Sequence, residues 1–337
     1  MDRGWLPERA KWSLLLAASE VFGVDAPDGR GLAGAVALTR WDADYASVGM
    51  MLVAARYGRR GLGRALMEHL LAAAGGDATV TLFATDLGRP LYEKLGFEPV
   101  RRNVAFRGKF RPGPDNSKER GAPPAGAGRS PGGVRTATEA DLPGILALDQ
   151  AAFGADRGRI LTRFPDFADR IAVLEADAQV DDQGHGQAGV QADGQAGGSA
   201  HGQAGVQARA QAGNQNDSQG DGLVGVRADG PAGVQGGLTR RSITGYAAAW
   251  RNAPASAVIG PVVAPDGAAA KRLIAELAAG LPTAVRLDLD PDRPELPGWA
   301  NARGLEPVSR TVVMAHGKLI ERGAPEQLFA PISVALA

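Results

Sequence analysis

The stretch "VAARYGRRGLGRALMEHLL", Val53 to Leu71, decides how the chain is read. It is the end of an apolar strand, then a basic, glycine-bearing turn, then an amphipathic helix. Leu62, Leu66, Leu70 and Ala73 recur on one helical stripe, and Gly75-Gly76 stops the helix. A turn entering a helix N-terminus offers backbone N–H groups that have no intrahelical partner. The helix dipole adds roughly half a positive charge there. Glycine lets the backbone approach a ligand closely. With Arg56, Arg59, Arg60 and Arg64 set among Gly58, Gly61 and Gly63, the turn reads as a phosphate site. No Gly-Lys-Ser/Thr follows, so it is not a Walker loop. The glycine spacing also departs from the dinucleotide fingerprint, and no acidic ribose ligand stands about 20 residues on.

Before this turn, "GLAGAVALTRW" and "YASVGMMLV" are apolar runs joined by a polar turn at Asp42 to Asp44, as in an antiparallel pair. After it, "ATVTLFAT" is a strand by its alternation and β-branched content. "RPLYEKLGFEPV" follows as a short helix over 90–95, stopped by Gly96, and a last strand. Residues 111–133 have the Pro-, Gly- and Ser-rich composition of a linker. Beyond it, "VRTATEADLPGILALDQAAF" is a strand and a helix, opened by Thr138 with Asp141 three residues on as a capping-box variant.

Residues 178–237 are dominated by Gly, Gln, Ala and Asp, and the octad "HGQAGVQA" occurs twice. Glycine is not at every third position, which excludes collagen. The segment is expected to be a disordered insert in a hairpin, between "RIAVLEAD" and "ITGYAAAWR". Loop-closure entropy grows only as the logarithm of length, so such an expansion costs about 2–3 kcal/mol.

Two halves echo each other. "GFEPV" at Gly96 returns as "GLEPV" at Gly304, "GRALMEHLL" answers to "AKRLIAELA", and "VGMMLV" to "VIGPVV". The chain therefore reads as two copies of one α/β unit. In the second copy Ala268 and Ala270 stand for Gly61 and Gly63, and Ala300 for Tyr92. Pro265 removes an N–H donor there, and Asp266 brings negative charge to the turn.

The 337 residues suffice for two domains. Lys plus Arg and Asp plus Glu both number 37, a zero net charge that argues against a general nucleic-acid binder. The absence of cysteine excludes disulfides, thiolate metal sites and a cysteine nucleophile, and fits a cytoplasmic location. The four histidines have no metal-ligand spacing, and no segment approaches an unbroken membrane span. No metal, no nucleic acid and no membrane are therefore expected as partners. The oligomeric state is not encoded in any of these patterns.

The run "LVAARYGRRGLGRALMEHLL" followed by "ATDLGRPLYEKLGFEPV" resembles the GNAT superfamily of acyl-CoA-dependent N-acyltransferases. The glycines of that family's turn motif match at Gly61 and Gly63. At the first motif position Gly58 stands where Gln or Arg is usual. The second half is similar to the degenerate C-terminal GNAT domain of some tandem bacterial acetyltransferases. The resemblance implies an α/β fold of two tandem GNAT-like domains, each a mixed, mostly antiparallel sheet flanked by helices. The N-terminal domain would span 1–110 and the C-terminal one 134–337. The first is expected to lack the family's first strand and most of its first helix.

The resemblance also implies a chemistry. The strand end splays from its neighbour, and Leu52 and Val53 pair with the pantetheine of acetyl-CoA. The pyrophosphate sits on the turn of Arg59, Arg60, Gly61, Leu62, Gly63 and Arg64. Tyr92 stands where a tyrosine protonates the leaving thiolate. The acceptor is an amine of a small molecule or a protein. The alternative is an inactive acyl-CoA binder or sensor. The base stays open, with Asp42 and Asp44 as candidates beside their ordinary role as turn formers. Trp5, Trp12 and Trp41 either line the acceptor pocket or pack in the core.

Overall fold

The computed structural model describes residues 9–113, 133–176, 242–253 and 256–335. The low-complexity segment and most of the linker lie outside the described residues, as does Trp5. The first half runs α1 (Arg9–Ala18), β1 (Glu20–Asp25), β2 (Leu32–Asp42), β3 (Tyr45–Val53), α2 (Leu62–Ala74), β4 (Thr79–Ala84), α3 (Arg89–Glu93) and β5 (Glu98–Gly108). The second half runs β6 (Val134–Thr136), α4 (Leu142–Phe153), α5 (Gly158–Leu161), α6 (Phe164–Phe167), β7 (Arg170–Ala176), β8 (Ser242–Ala253) and β9 (Ser256–Val263). It continues with α7 (Gly267–Ala279), β10 (Ala284–Leu289), α8 (Pro297–Ala302), β11 (Glu306–His316) and β12 (Leu328–Ala330). None of the described helices is long and apolar enough to cross a membrane.

The elements follow their sequence signals. Thr138 and Asp141 form the reciprocal capping box ahead of α4. α2 ends at Gly75, whose φ of +96° needs glycine. Its buried face is Leu66, Met67, Leu70 and Ala74, so Met67 and Ala74 rather than Ala73 complete the stripe. β7 and β8 pair antiparallel up to Ala176 opposite Ser242, as the hairpin reading requires.

The two halves share one sheet in the order β1-β2-β3-β4-β11-β5-β10-β9-β8-β7-β6, with β12 attached to β9. Each half is completed by a strand of the other. β11 pairs with β4 of the first half, and β5 pairs with β10 of the second. The side chains follow the exchange. Met314 of β11 is fully buried in the core that α2 covers, with Leu38, Met67 and Leu82. Val104 and Phe106 of β5 are buried in the core that α7 covers, with Leu273 and Leu287. On the opposite face, Leu15 of α1, Ile160 of α5, Ala37 and Ala248 form a core common to both halves.

Candidate functional site

A bulge opens the first half. Ala35 pairs with Leu52 and Ala37 with Gly49, so Met50 and Met51 of β3 together face Val36. Met50 takes a φ of +49°. A bulge of this kind bends its strand and increases the local twist. The parallel β3–β4 ladder accordingly ends at Val48 opposite Leu82. Beyond that point the strands diverge around a cleft of about 850 Å³. Met51, Leu52 and Val53 form one wall, Gly61, Gly63 and Arg64 stand at the turn, and Tyr92 faces them from α3.

The turn is shaped for an anion. Gly61 is the N-cap of α2 with a φ of +80°, and no side chain caps the helix. Its free first-turn N–H groups, including those of Leu62 and Gly63, are left for a ligand or water. Arg59 has a φ of +59°, an uncommon left-handed conformation for a residue with a side chain. Arg59 and Arg60 are exposed, and neither makes an ion pair among the described residues. Arg64 is engaged with Glu68 at 2.7 Å and Arg56 with Asp28 at 3.3 Å, so those two charges are partly spent.

Tyr92 is 8% exposed and packs edge-on against Phe97, with ring centroids 5.9 Å apart. Its hydroxyl has no hydrogen-bond partner among the described residues. Burial pushes its pKa up to about 12, which keeps the phenol protonated at neutral pH.

The second half carries the same bulge with the opposite outcome. Ala247 pairs with Val262 and Ala249 with Ile259, so Gly260 and Pro261 occupy the places of Met50 and Met51. β9 again leaves its parallel neighbour, after Val258 opposite Arg286. Here β12 fills the gap. Leu328 pairs with Val263 and Ala330 with Val262.

The helix entrance is filled as well. By packing, Leu273, Ile274 and Leu277 match Leu66, Met67 and Leu70. Yet α7 starts six residues before Leu273, whereas α2 starts four before Leu66. The extra half turn ends on Asp266, whose Oδ1 accepts from the Ala269 N–H at 2.7 Å. An internal carboxylate thus takes the position an external anion holds at an uncapped helix.

The other sequence candidates lie away from the cleft. Asp42 and Asp44 face Arg322, at 3.9 and 2.6 Å, and do not line the cleft. Trp41 is core: its Nε1 donates to Ser47 Oγ at 3.0 Å, and its ring meets Phe153 at 5.6 Å. Trp12 is half-buried on α1 and is also outside the cleft. Sequence reasoning missed the C-terminal segment, whose Val334 and Ala335 line the cleft next to Val48. The close approach is visible at Gly49, where a Cβ would lie 2.2 Å from the Ala335 carbonyl oxygen. Only the lack of a side chain at this one position signals it.

Two family models, each described as an acetyltransferase (GNAT) domain, match this chain, one at residues 18–99 and one at 234–330. The chain belongs to the GNAT superfamily, in its tandem form. It is 31% identical over 118 residues to the uncharacterized N-acetyltransferase YitH of Bacillus subtilis (strain 168). That match covers 34% of this chain and 36% of YitH, so it spans about a third of either protein. The fold is similar to that of a putative acetyltransferase from Pyrococcus horikoshii, with a TM-score of 0.57 at 17% identity, over 91% of this chain and 77% of that one. A tandem GNAT protein from the clavulanic acid biosynthesis pathway aligns with a TM-score of 0.47 at 15% identity, over 90% of this chain and 84% of its own. The mixed, mostly antiparallel sheet with flanking helices is the GNAT fold.

Proposed function

We propose that the protein is an acetyl-CoA-dependent N-acetyltransferase, with one donor site in the first half and an amine as acceptor. The observation that carries this reading is the contrast between the two bulged strands. One opens onto an uncapped helix, and the other is filled by β12 and capped by Asp266. In this reading Leu52 and Val53 hold the pantetheine amides. The N–H groups of Gly61 to Arg64 hold the pyrophosphate, with Arg59 and Arg60 beside it. The second half supplies β11 and the C-terminal wall of the cleft.

The chemistry follows from the bond made. The nitrogen of a neutral amine attacks the thioester carbonyl carbon. The tetrahedral intermediate collapses by breaking the carbon–sulfur bond. The amine's proton leaves to water, and the departing thiolate takes the proton of the Tyr92 hydroxyl. A buried phenol keeps its proton until the sulfur needs it, and general acid catalysis of this kind contributes about 10²–10⁴-fold. Tyrosinate then regains a proton from water.

The test is release of free CoA thiol from acetyl-CoA across a panel of amines, alongside calorimetry with CoA. Amine-dependent release supports the reading. Saturable CoA binding with no release from any amine makes the protein an acyl-CoA binder instead.

A further inference from the structure

Next to the donor cleft lies a second, smaller cavity of about 100 Å³, and among the described residues Phe83 alone lines both. We infer that this cavity holds the acceptor, and that the acceptor is a small amino-acid-type zwitterion. The inference rests on the donor-site reading above and adds the substrate class.

Size comes first. An engineered protein cavity of about 150 Å³ takes a benzene. A cavity of about 100 Å³ takes only a small group. Polyamines and protein side chains presented on a backbone are too large to lie wholly within it.

Charge decides the class. Arg101, Arg102, Arg157, Asp288 and Asp290 line the cavity, and partners outside the wall balance three of these charges. Asp288 is 2% exposed and held by both arms of Arg286, at 2.9 and 3.1 Å. Arg157, equally buried, is bound at both arms by Asp149. Burial opposes the Arg157 charge, but the adjacent Asp149 more than offsets this and its pKa ends raised. Arg102 is paired with Asp292 through two hydrogen bonds. Arg101 and Asp290 are different. Their Nε and Oδ2 stand 3.9 Å apart, beyond hydrogen-bond length. Arg101 is 43% exposed and Asp290 is 19% exposed.

A site whose charges cancel does not favour a polycation or a polyanion. Its one loose pair offers a carboxylate to an ammonium and a guanidinium to a carboxylate. Phe83 adds a ring face that attracts a cation, whereas Tyr45, Phe153 and Phe329 already stack under Arg322, Arg157 and Arg293. Arg101 reads the carboxylate, as guanidinium does well. Asp290 reads the ammonium. An amine at Asp290 occupies the same cavity as Phe83, which also lines the donor cleft.

The experiment has two independent readouts. Saturation-transfer NMR reports direct binding of glycine, alanine and aspartate to the full-length protein, with spermidine and benzylamine as comparisons. Thiol release with acetyl-CoA reports turnover of the same compounds. The expected result is saturable binding of an amino acid and preferential use of it. Arg101→Gln then raises its KM by about tenfold or more, with the KM for acetyl-CoA unchanged, and Arg101→Lys restores part of the loss.

Preference for spermidine or benzylamine, no amino acid binding, or an unchanged KM in Arg101→Gln overturns the proposal while leaving acetyl transfer intact. Failure of CoA to bind counts against the donor-site reading alone, since the NMR arm is read without donor.

Discussion

Asn103 of β5 donates from Nδ2 to Thr311 Oγ1 of β11 at 3.1 Å, and the two residues are each other's counterparts in the repeat. They face one another directly in the antiparallel register, with Arg102 opposite Val312 and Val104 opposite Arg310 on either side. The centre of the strand exchange is therefore the point where each copy meets itself. From there each strand runs into the other half's core.

The exchange makes the halves one cooperative unit. Met314→Ala removes a fully buried side chain from the core under α2 and should cost about 2–5 kcal/mol. Phe106→Ala in the core under α7 should cost about 3–5 kcal/mol. Both substitutions should lower one and the same denaturant transition, followed by far-UV circular dichroism. Two separate transitions, each moved by only one substitution, would contradict the shared sheet.

Tyr92→Phe should lower kcat by about 10²–10⁴-fold and leave CoA affinity nearly unchanged, because the ring still packs on Phe97. The pH profile gives a second check. The folded-state pKa lies near 12, above the ordinary value of about 10, so the acid form persists as pH rises past 10. No alkaline fall in kcat from this group is expected between about pH 8 and 10. Wild-type turnover in the variant would leave Tyr92 as a packing residue only.

Much of this was legible in the residues. The helix α2 and its glycine turn follow from apolar period and helix-end chemistry, which are local, whereas the splayed end of β3 was implied by the resemblance to the GNAT superfamily. The repeat was legible from "GFEPV" and "GLEPV". The strand exchange was not, because β5 and β11 carry the same alternation whichever neighbour they pair with, and register is decided by contacts distant in sequence. The filling of the second gap by β12 escaped notice for a related reason: three residues, Leu328 to Ala330, carry no periodicity to read. Asp42 and Asp44 were ambiguous because their partner, Arg322, lies almost three hundred residues away.

The hairpin of β7 and β8 pairs through Glu175 opposite Ile243 and Ala176 opposite Ser242. Deleting 178–237, with an Asn-Gly turn between Asp177 and Leu238, should therefore keep the fold. Stability should rise by at most about 2–3 kcal/mol, since the closed loop is shorter. A lower melting temperature, or lost turnover with CoA binding kept, would show that the segment takes part in the domain or its site.

Acid should weaken the start of the second half. Arg135 donates both arms to Asp141, at 2.6 and 2.7 Å, and the Thr138 N–H and hydroxyl donate to the same carboxylate. The Arg135 bonds, followed by those from Thr138, hold the Asp141 carboxyl well below the usual carboxylate range. A depressed folded-state pKa gives stability that is present above the unfolded value of about 3.9 and lost as pH falls through the folded one. Asp141→Asn should be less stable than wild type at pH 7 and should lose less on going to pH 3. Equal acid sensitivity in thermal melts would remove this carboxylate from the account.

The donor site should exist once per chain. In the first half the α2 entrance has no side-chain cap, whereas Asp266 occupies the α7 entrance. Calorimetry with CoA should give one site. Gly63→Asp puts a carboxylate at the proposed pyrophosphate position; its Cβ comes closest to the flexible end of Met51, 3.2 Å away, with Leu91 and Val53 at ordinary contact distance, so the fold should survive. Affinity should fall by about tenfold or more, as expected for losing a charge-assisted contact. Arg59→Gln and Arg60→Gln should weaken binding in the same direction, with a reduced dependence on salt because fewer charges are screened. Asp266→Gly, by contrast, should cost about 1 kcal/mol or less of stability, since glycine is a tolerated cap. It should create no second site, because β12 still fills the gap beside β9. Two sites in the wild type, or a new one in Asp266→Gly, would show that the filled half retains a cradle.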